Sequence, residues 1–368
     1  MSRIWRTAAA IGLVLAYSAA VRVGEGAEAS RKFSTPVSDP GARWVKEVLV
    51  HVKNCGDPLD GPSTGMQTNC QPSVGTYFEG GGDWYMRRYD PKLDRYFTVA
   101  GDAAGYLDGP ISRARFGLSG YAKERAGGRS PDGRYQYFTE PCLGGALRCI
   151  DWEKGEVKTI LKKVGGSPGM TVDTKGTLYI VSYGGFQIVA PDGTAQEKKL
   201  EFRKGTQGYA MNLVIDEKNN RLYAARRDTH VWYWDLSAGG KYVEVLNSET
   251  SKAEARKLCA TGPFDGMRLH CPAGLVKGPG DLGVGYLYFG GGDDKSFYRL
   301  DLAKQYMLRF RPMESDKKLF HFGESPGKVG AAINGWCGPP GGWDENGDFY
   351  LGDWAGGSAG LYRYKRVQ

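Results

Sequence analysis

Residues 167–182 read Ser-Pro-Gly-Met-Thr-Val-Asp-Thr-Lys-Gly-Thr-Leu-Tyr-Ile-Val-Ser. A short apolar and β-branched run leads into Asp173-Thr-Lys-Gly176, and a second run begins at Leu178-Tyr179. Two such runs around an Asp-x-x-Gly turn read as a pair of antiparallel strands. The unit recurs. Ser130-Pro-Asp-Gly-Arg-Tyr-Gln-Tyr-Phe-Thr-Glu140, Val214-Ile-Asp-Glu-Lys-Asn-Asn-Arg-Leu-Tyr-Ala-Ala225 and Trp343-Asp-Glu-Asn-Gly-Asp-Phe-Tyr-Leu-Gly-Asp353 keep both the turn and the second strand. Gly75-Thr-Tyr-Phe-Glu-Gly-Gly-Gly-Asp83 and Gly285-Tyr-Leu-Tyr-Phe-Gly-Gly-Gly-Asp293 keep the second strand.

A third strand with alternating residues follows the copies, as in Trp84–Asp90, Ala146–Asp151, Val231–Asp235, Ser296–Asp301 and Gly360–Tyr364. A fourth, such as Val157–Leu161, often comes next. The 55 glycines and 12% aromatic residues fit short strands joined by tight turns. A helical period is missing, although Ser251–Leu258 has the composition for one or two turns. A repeat of roughly 40 to 60 residues with four strands per copy predicts an all-β, six-bladed β-propeller of four-stranded antiparallel blades. The last unit runs out after its third strand, and Trp44–Val52 is an orphan strand near the start. This N-terminal strand is therefore expected to complete the C-terminal blade and close the ring, because an open edge exposes unpaired backbone groups.

The stretch Phe97-Thr-Val-Ala-Gly-Asp-Ala-Ala-Gly-Tyr-Leu-Asp-Gly-Pro-Ile-Ser-Arg-Ala-Arg-Phe116 resembles the inter-blade segment of the NHL-repeat β-propeller family. In that segment a Val-Ala-Gly strand end leads to Gly-x-x-Asp-Gly-Pro and then Ala-Arg-Phe. The resemblance is strongest over residues 97–160 and extends more loosely over 167–235 and 336–364. It breaks at two apparent insertions, between Asn247 and Cys271 and between Pro312 and Asn334. It implies a fold and leaves the function open, since one ring architecture hosts binding modules and enzymes alike.

The N-terminus has the three parts of an export signal. Arg3 and Arg6 give a positive start, Ala8–Val21 is apolar, and Ala27-Glu-Ala29 offers a small-x-small cleavage site. Residues 1–29 are expected to be a signal peptide, 30–43 a flexible mature N-terminus and 44–368 a single propeller domain. The mature protein is expected to be secreted or periplasmic and monomeric, with no membrane span, because the apolar run falls short of the ~20 residues a spanning helix needs. Cysteine usage agrees with export: Cys55 and Cys70, Cys142 and Cys149, and Cys259 and Cys271 form sequence-local pairs that suit loop-stapling disulfides. Cys337 is left single. The net charge of +8 is spread along the chain, which disfavours nucleic acid as a partner and leaves acidic polysaccharide or other anionic surfaces open.

In such a blade the hairpins joining second to third strands open on the same face as the blade-to-blade connections, and this face is the expected ligand site. Aligning the second strands on their Tyr places Gly80, Glu140, Ser182, Arg226, Gly291 and Asp353 at equivalent positions. Together with Arg227, His230, Arg268 and His270 from the adjoining loops, Glu140, Ser182, Arg226 and Asp353 make up the candidate ligand-binding set. The competing reading of Glu140 and Asp353 is local, as carboxylates bonded to backbone amides of their own turns. His230, His270 and His321 suggest a divalent cation, calcium or zinc, over the channel, but they lack short-range ligand spacing, so the cofactor stays unknown. Motifs of the peptidyl-hydroxyglycine amidating lyases and of the gluconolactonase-like propellers are not recognisable. The sequence thus predicts a binding module or scaffold for a small polar or carbohydrate ligand. A metal-assisted hydrolase or lyase and a protein-interaction platform remain as alternatives.

Overall fold

The computed structural model describes residues 43–52, 67–71, 75–79, 86–90, 95–101, 103–116, 127–140, 145–165, 169–182, 185–202, 212–226, 230–246, 257–258, 262–263, 267–268, 273–277, 284–290, 297–310, 313–318, 342–343, 349–355 and 358–367. The expected signal peptide and Cys55, Cys142, Cys259, Cys271 and Cys337 lie outside them, as do Arg227, His270 and His321. All regular structure among the described residues is β, and none of it is a helix long and apolar enough to cross a membrane.

These residues form six sheets of four or five strands and two short two-stranded ones. In the first five of the larger sheets four consecutive strands form an up-and-down meander, joined on the outer edge of the second and fifth by one earlier short strand, and the last sheet sets its final three strands beside Arg43–Val52 and Met313–Lys318. The third is the simplest, with strands Gly169–Val172, Leu178–Ser182, Gly185–Val189 and Ala195–Lys198. Its first two strands fall where the quoted repeat puts them. Asp173 makes the turn between them: its Oδ1 accepts from the amides of Lys175 at 2.9 Å and Thr177 at 2.8 Å, and Gly176 takes a φ of 85°. The same device closes the turns after third strands, where Asp151, Asp235 and Asp301 each accept amides two or three residues on. Asp151 adds a paired Arg134, with Nη2 2.9 Å from its Oδ2. Burial raises the Asp151 carboxyl, but Arg134 and the two amides outweigh it and hold it below the ordinary carboxylate value.

Period-two alternation gives the second, third and fourth sheets two buried faces. In the fourth sheet, Leu222, Ala224, Trp232 and Trp234 pack backward against Val181 and Phe186 of the third. Tyr223, Ala225 and Val231 of the same two strands pack forward against Leu287, Tyr298 and Leu300 of the fifth. Burying each large apolar side chain contributes about 1.5 to 3 kcal/mol, so neither face is tolerable in water. First strands make the closest approach. Gly127–Arg129 touches Gly169–Val172, which touches Asn212–Asp216, which touches Ala273–Lys277. A Cβ on Gly128 would lie 2.6 Å from Val172 Cγ2, so only glycine fits there. Gln67–Gln71 touches both Gly127–Arg129 and the last sheet's Gly342–Trp343 and Phe349–Ala355.

The two chain ends share a sheet. Arg43–Val52 runs antiparallel to Ser358–Val367, in register from Arg43 opposite Val367 to Val52 opposite Ala359, with a shift between Val48 and Val50. Glu47 bonds Arg363 directly across this ladder, with Nε donating to Oε2 at 2.7 Å.

The connection before the second sheet folds back on that sheet's outer edge. Ala103–Ala104 pairs in parallel with Arg115–Phe116, and between them Gly109–Pro110 pairs with Glu156 and Val157. Residues 257–268, expected to be an insertion, repeat this plan. Lys257–Leu258 pairs in parallel with Met267–Arg268, and Gly262–Pro263 pairs with Met307 and Tyr306 of the fifth sheet. Gly-Pro-Ile-Ser-Arg-Ala-Arg and Gly-Pro-Phe-Asp-Gly-Met-Arg are two copies of one crosspiece. Lys257–Leu258 is a strand, so the helical turn expected over Ser251–Leu258 does not extend to those two residues. Met313–Lys318 likewise covers the outer edge of the last sheet, pairing in parallel with Arg43–Val52.

Cys149 corrects one expectation. It carries a free, buried thiol, so the Cys142–Cys149 bridge is not formed. Cys149 lies opposite Tyr137, three extended residues from the hairpin end at Ala146. That is about 10 Å along the strand. Burial pushes the thiol up to about 11.

Two predictions follow from these geometries. Gln305 ends the Asp301 turn with a φ of 49°, where Gly155 takes 65° and Gly239 takes 73° in the equivalent turns. Gln305→Gly should stabilise the protein by roughly 0.5 to 1 kcal/mol, measured by urea denaturation. The Cys149 peptide should remain unmodified when the native protein is treated with iodoacetamide at pH 8 and become modified after denaturation, as peptide mapping would show.

Candidate functional site

Glu140, Ser182 and Arg226 each end a second strand, and each forms the last pair of its hairpin ladder: Glu140 opposite Ala146, Ser182 opposite Gly185, and Arg226 opposite His230. Their equivalence follows from the Tyr three residues earlier, which in every case pairs with both the first and the third strand. Arg226 and His230, chosen separately from the sequence, are thus direct cross-strand neighbours. Asp353 lies opposite Gly360, but its hairpin continues for two more pairs to Ala355 and Ser358, so it sits inside the ladder. Arg268 belongs to the second crosspiece, where it pairs with Leu258, and it aligns in sequence with Arg115 of the first.

Glu140 is fully buried, and its carboxylate is committed to the fold. Its Oε2 accepts from Arg148 Nη1 at 3.0 Å. Arg148, also fully buried, donates onward from Nη2 and Nε to Asp108 Oδ1 at 2.9 and 3.2 Å. It also reaches the carbonyl oxygens of Leu107 at 2.7 Å and Arg115 at 2.8 Å. The rings of Tyr106 and Phe116 flank the guanidinium, 4.6 and 5.3 Å from its carbon. Asp108 is anchored from the other side by Thr159, whose amide and hydroxyl donate at 2.8 and 3.0 Å. The Tyr106 hydroxyl shares a 2.8 Å hydrogen bond with Thr159 Oγ1. Burial raises the Tyr106 phenol, with Thr159 and Arg148 opposing, so the hydroxyl stays neutral.

This cluster explains the Asp-Gly-Pro motif physically. Asp108 neutralises a buried arginine, and Gly109–Pro110 lays the crosspiece on the sheet edge. Arg148, Asp108, Tyr106 and Thr159 were not among the expected site residues. The signal for Arg148 was its place in Ala146–Asp151, a strand buried along its whole length, where a cation must find carboxylates. Glu140 was expected to meet a ligand or cap its own turn; among the described residues its carboxylate meets Arg148.

Ser182 is buried, with its hydroxyl 3.5 Å from the Gly185 carbonyl oxygen. Among the described residues no three His, Cys, Asp or Glu side chains gather as a metal would require.

A protein of unknown function from Bacteroides thetaiotaomicron has a similar structure, with a TM-score of 0.61 at 13% identity over 89% of this chain and 76% of that one. An auxiliary nutrient binding protein from the same organism gives 0.57 at 12% identity, covering 89% and 77%. Another from Bacteroides ovatus gives 0.58 at 14%, covering 89% and 78%. The shared fold is a β-propeller. At these identities the likeness concerns the propeller fold alone. No family model and no curated protein sequence matches the chain.

Arg148→Met should destabilise the propeller by about 3 to 5 kcal/mol, since it strands the Glu140 carboxylate in the interior. The double variant Glu140→Leu/Arg148→Met should recover much of that loss. Guanidinium denaturation of the three proteins measures both effects.

Proposed function

We propose that this chain is an exported, six-bladed β-propeller of the NHL-repeat type that binds a polar or carbohydrate ligand over its channel. The six larger sheets follow one another as meanders, and first-strand contacts lead from each to the next and from the last to the first. In this reading Arg43–Val52 serves as the outer strand of the sixth blade and closes the ring. The crosspiece at 103–116, with its Asp108 clamp, supports the NHL assignment. Residues 1–29 act as the signal, 30–43 as a flexible leader and 44–368 as one domain in a secreted or periplasmic protein. Cys259–Cys271 pairing is supported by the parallel ladder of Lys257–Leu258 with Met267–Arg268. Cys55–Cys70 pairing rests on sequence spacing.

The observation that carries the binding reading is the equivalence of the hairpin ends. Ser182 and Arg226, with His230 opposite, recur at one level of successive sheets, with Asp353 near it in the last. A ring of hydroxyl, guanidinium, imidazole and carboxylate donors and acceptors suits sugar hydroxyls and charged substituents. Arg227, Arg268 and His270 would extend this set from the adjoining loops. Glu140 belongs to the wall behind it. Two of the structurally similar proteins are described as auxiliary nutrient binding proteins, which favours a binding module over a catalyst.

The test is a thermal-shift screen of the purified protein against neutral and acidic oligosaccharides, followed by calorimetry. At least one class should bind, and Arg226→Ala or Asp353→Ala should weaken it by tenfold or more, about 1.4 kcal/mol, with the melting temperature unchanged. Binding unaffected by both substitutions would remove this face as the site. Stoichiometric zinc or calcium in elemental analysis would favour the metal-assisted hydrolase or lyase instead.

A further inference from the structure

Arg299 is 5% exposed, on the third strand of the fifth sheet. Its Nε and Nη1 have no hydrogen-bond partner among the described residues. Its guanidinium carbon stands 4.7 Å from the centre of the Tyr286 ring, which attracts a cation but neutralises none of its charge. The one nearby carboxylate on its own strand, Asp301, is occupied by the turn it caps, accepting the Lys304 amide at 3.0 Å with the Lys304 ammonium 3.9 Å away.

The last sheet supplies the comparison. There Arg363 holds the same ladder position, opposite Tyr350 on one side and Glu47 on the other. Arg299 lies opposite Tyr288 on one side and Leu308 on the other. Leucine therefore stands where the last sheet has the carboxylate that Arg363 bonds. In the second sheet, buried Arg148 likewise has Glu140 and Asp108. A guanidinium carries its positive charge into the interior. Leaving it uncompensated costs several kcal/mol.

We propose that Arg299 binds a small carboxylate anion, which supplies beside it the negative charge that Glu47 supplies beside Arg363. The anion accepts from Nε and Nη1 and restores neutrality between the fifth sheet and its neighbour. This site is separate from the channel face, and its test does not depend on that reading.

Thermal melts of the full chain in sodium acetate and sodium chloride, at equal ionic strength and pH 7, measure it. Acetate should raise the melting temperature of the wild type by about 5 °C near saturation. Arg299→Met, an unbranched apolar replacement, should melt at the same temperature in both salts. Leu308→Glu builds the missing carboxylate into the chain, so it should melt higher than wild type in chloride and gain nothing from acetate. Equal melting of the wild type in the two salts would overturn the proposal. So would an acetate response retained in Arg299→Met, because a general salt effect would act on both proteins alike.

Discussion

The second, third and fourth sheets are apolar on both faces, and none of them can satisfy that condition alone. Trp232 and Trp234 look back toward one neighbour while Tyr223 and Val231 look forward to the next. Each of these sheets is stable only as the filling between two others. That single requirement turns a tandem repeat into a cooperative body, and it makes the fate of the chain ends a structural matter. Arg43–Val52 and Ser358–Val367 pair along almost their whole lengths, so the first and last strands of the described chain are held together.

Polar groups on these faces must then be neutralised in place. The second sheet does so with a guanidinium held by two carboxylates from opposite directions, one at its own hairpin end and one from the crosspiece. The cluster ties the connection to the sheet it precedes, and it converts a buried charge into a fixed register for the loop. The last sheet uses the N-terminal strand for the same purpose, through Glu47. Edges receive similar care. Crosspieces or an added strand cover the outer edges of the second, fifth and last sheets. The bare edge Ala195–Lys198 is fully exposed and carries Glu197 and Lys198, which discourage pairing with another chain.

The second crosspiece shows why sequence similarity fades faster than architecture. Residues 257–268 keep Gly-Pro and the following arginine but have Thr261 where the first copy has Asp108. The reason lies across the sheet. Tyr298 holds the ladder position of Arg148, so no cation stands at that position for an aspartate to meet. When the clamp changed partners, the motif lost the residue that made it readable.

Strands and turns were legible because their causes are local. Alternation of two, Asp side chains bonding amides two to four residues on, and glycine at left-handed positions all act within a single hairpin, and Ala146–Asp151 forms where its pattern puts it. The alignment of Glu140, Ser182 and Arg226 was legible for the same reason, since a shared Tyr fixes their register. The roles of those residues were not. Arg148 meets Asp108 across 40 positions of chain and Arg363 meets Glu47 across 316, distances over which spacing carries no information. Cys149 was misread because closeness in sequence says nothing about where a strand places a thiol along its ladder. The sequence by itself determined the repeating unit, its turns and its levels. Which charges are spent inside the fold was decided only when the sheets came together, because burial and pairing are properties of neighbours.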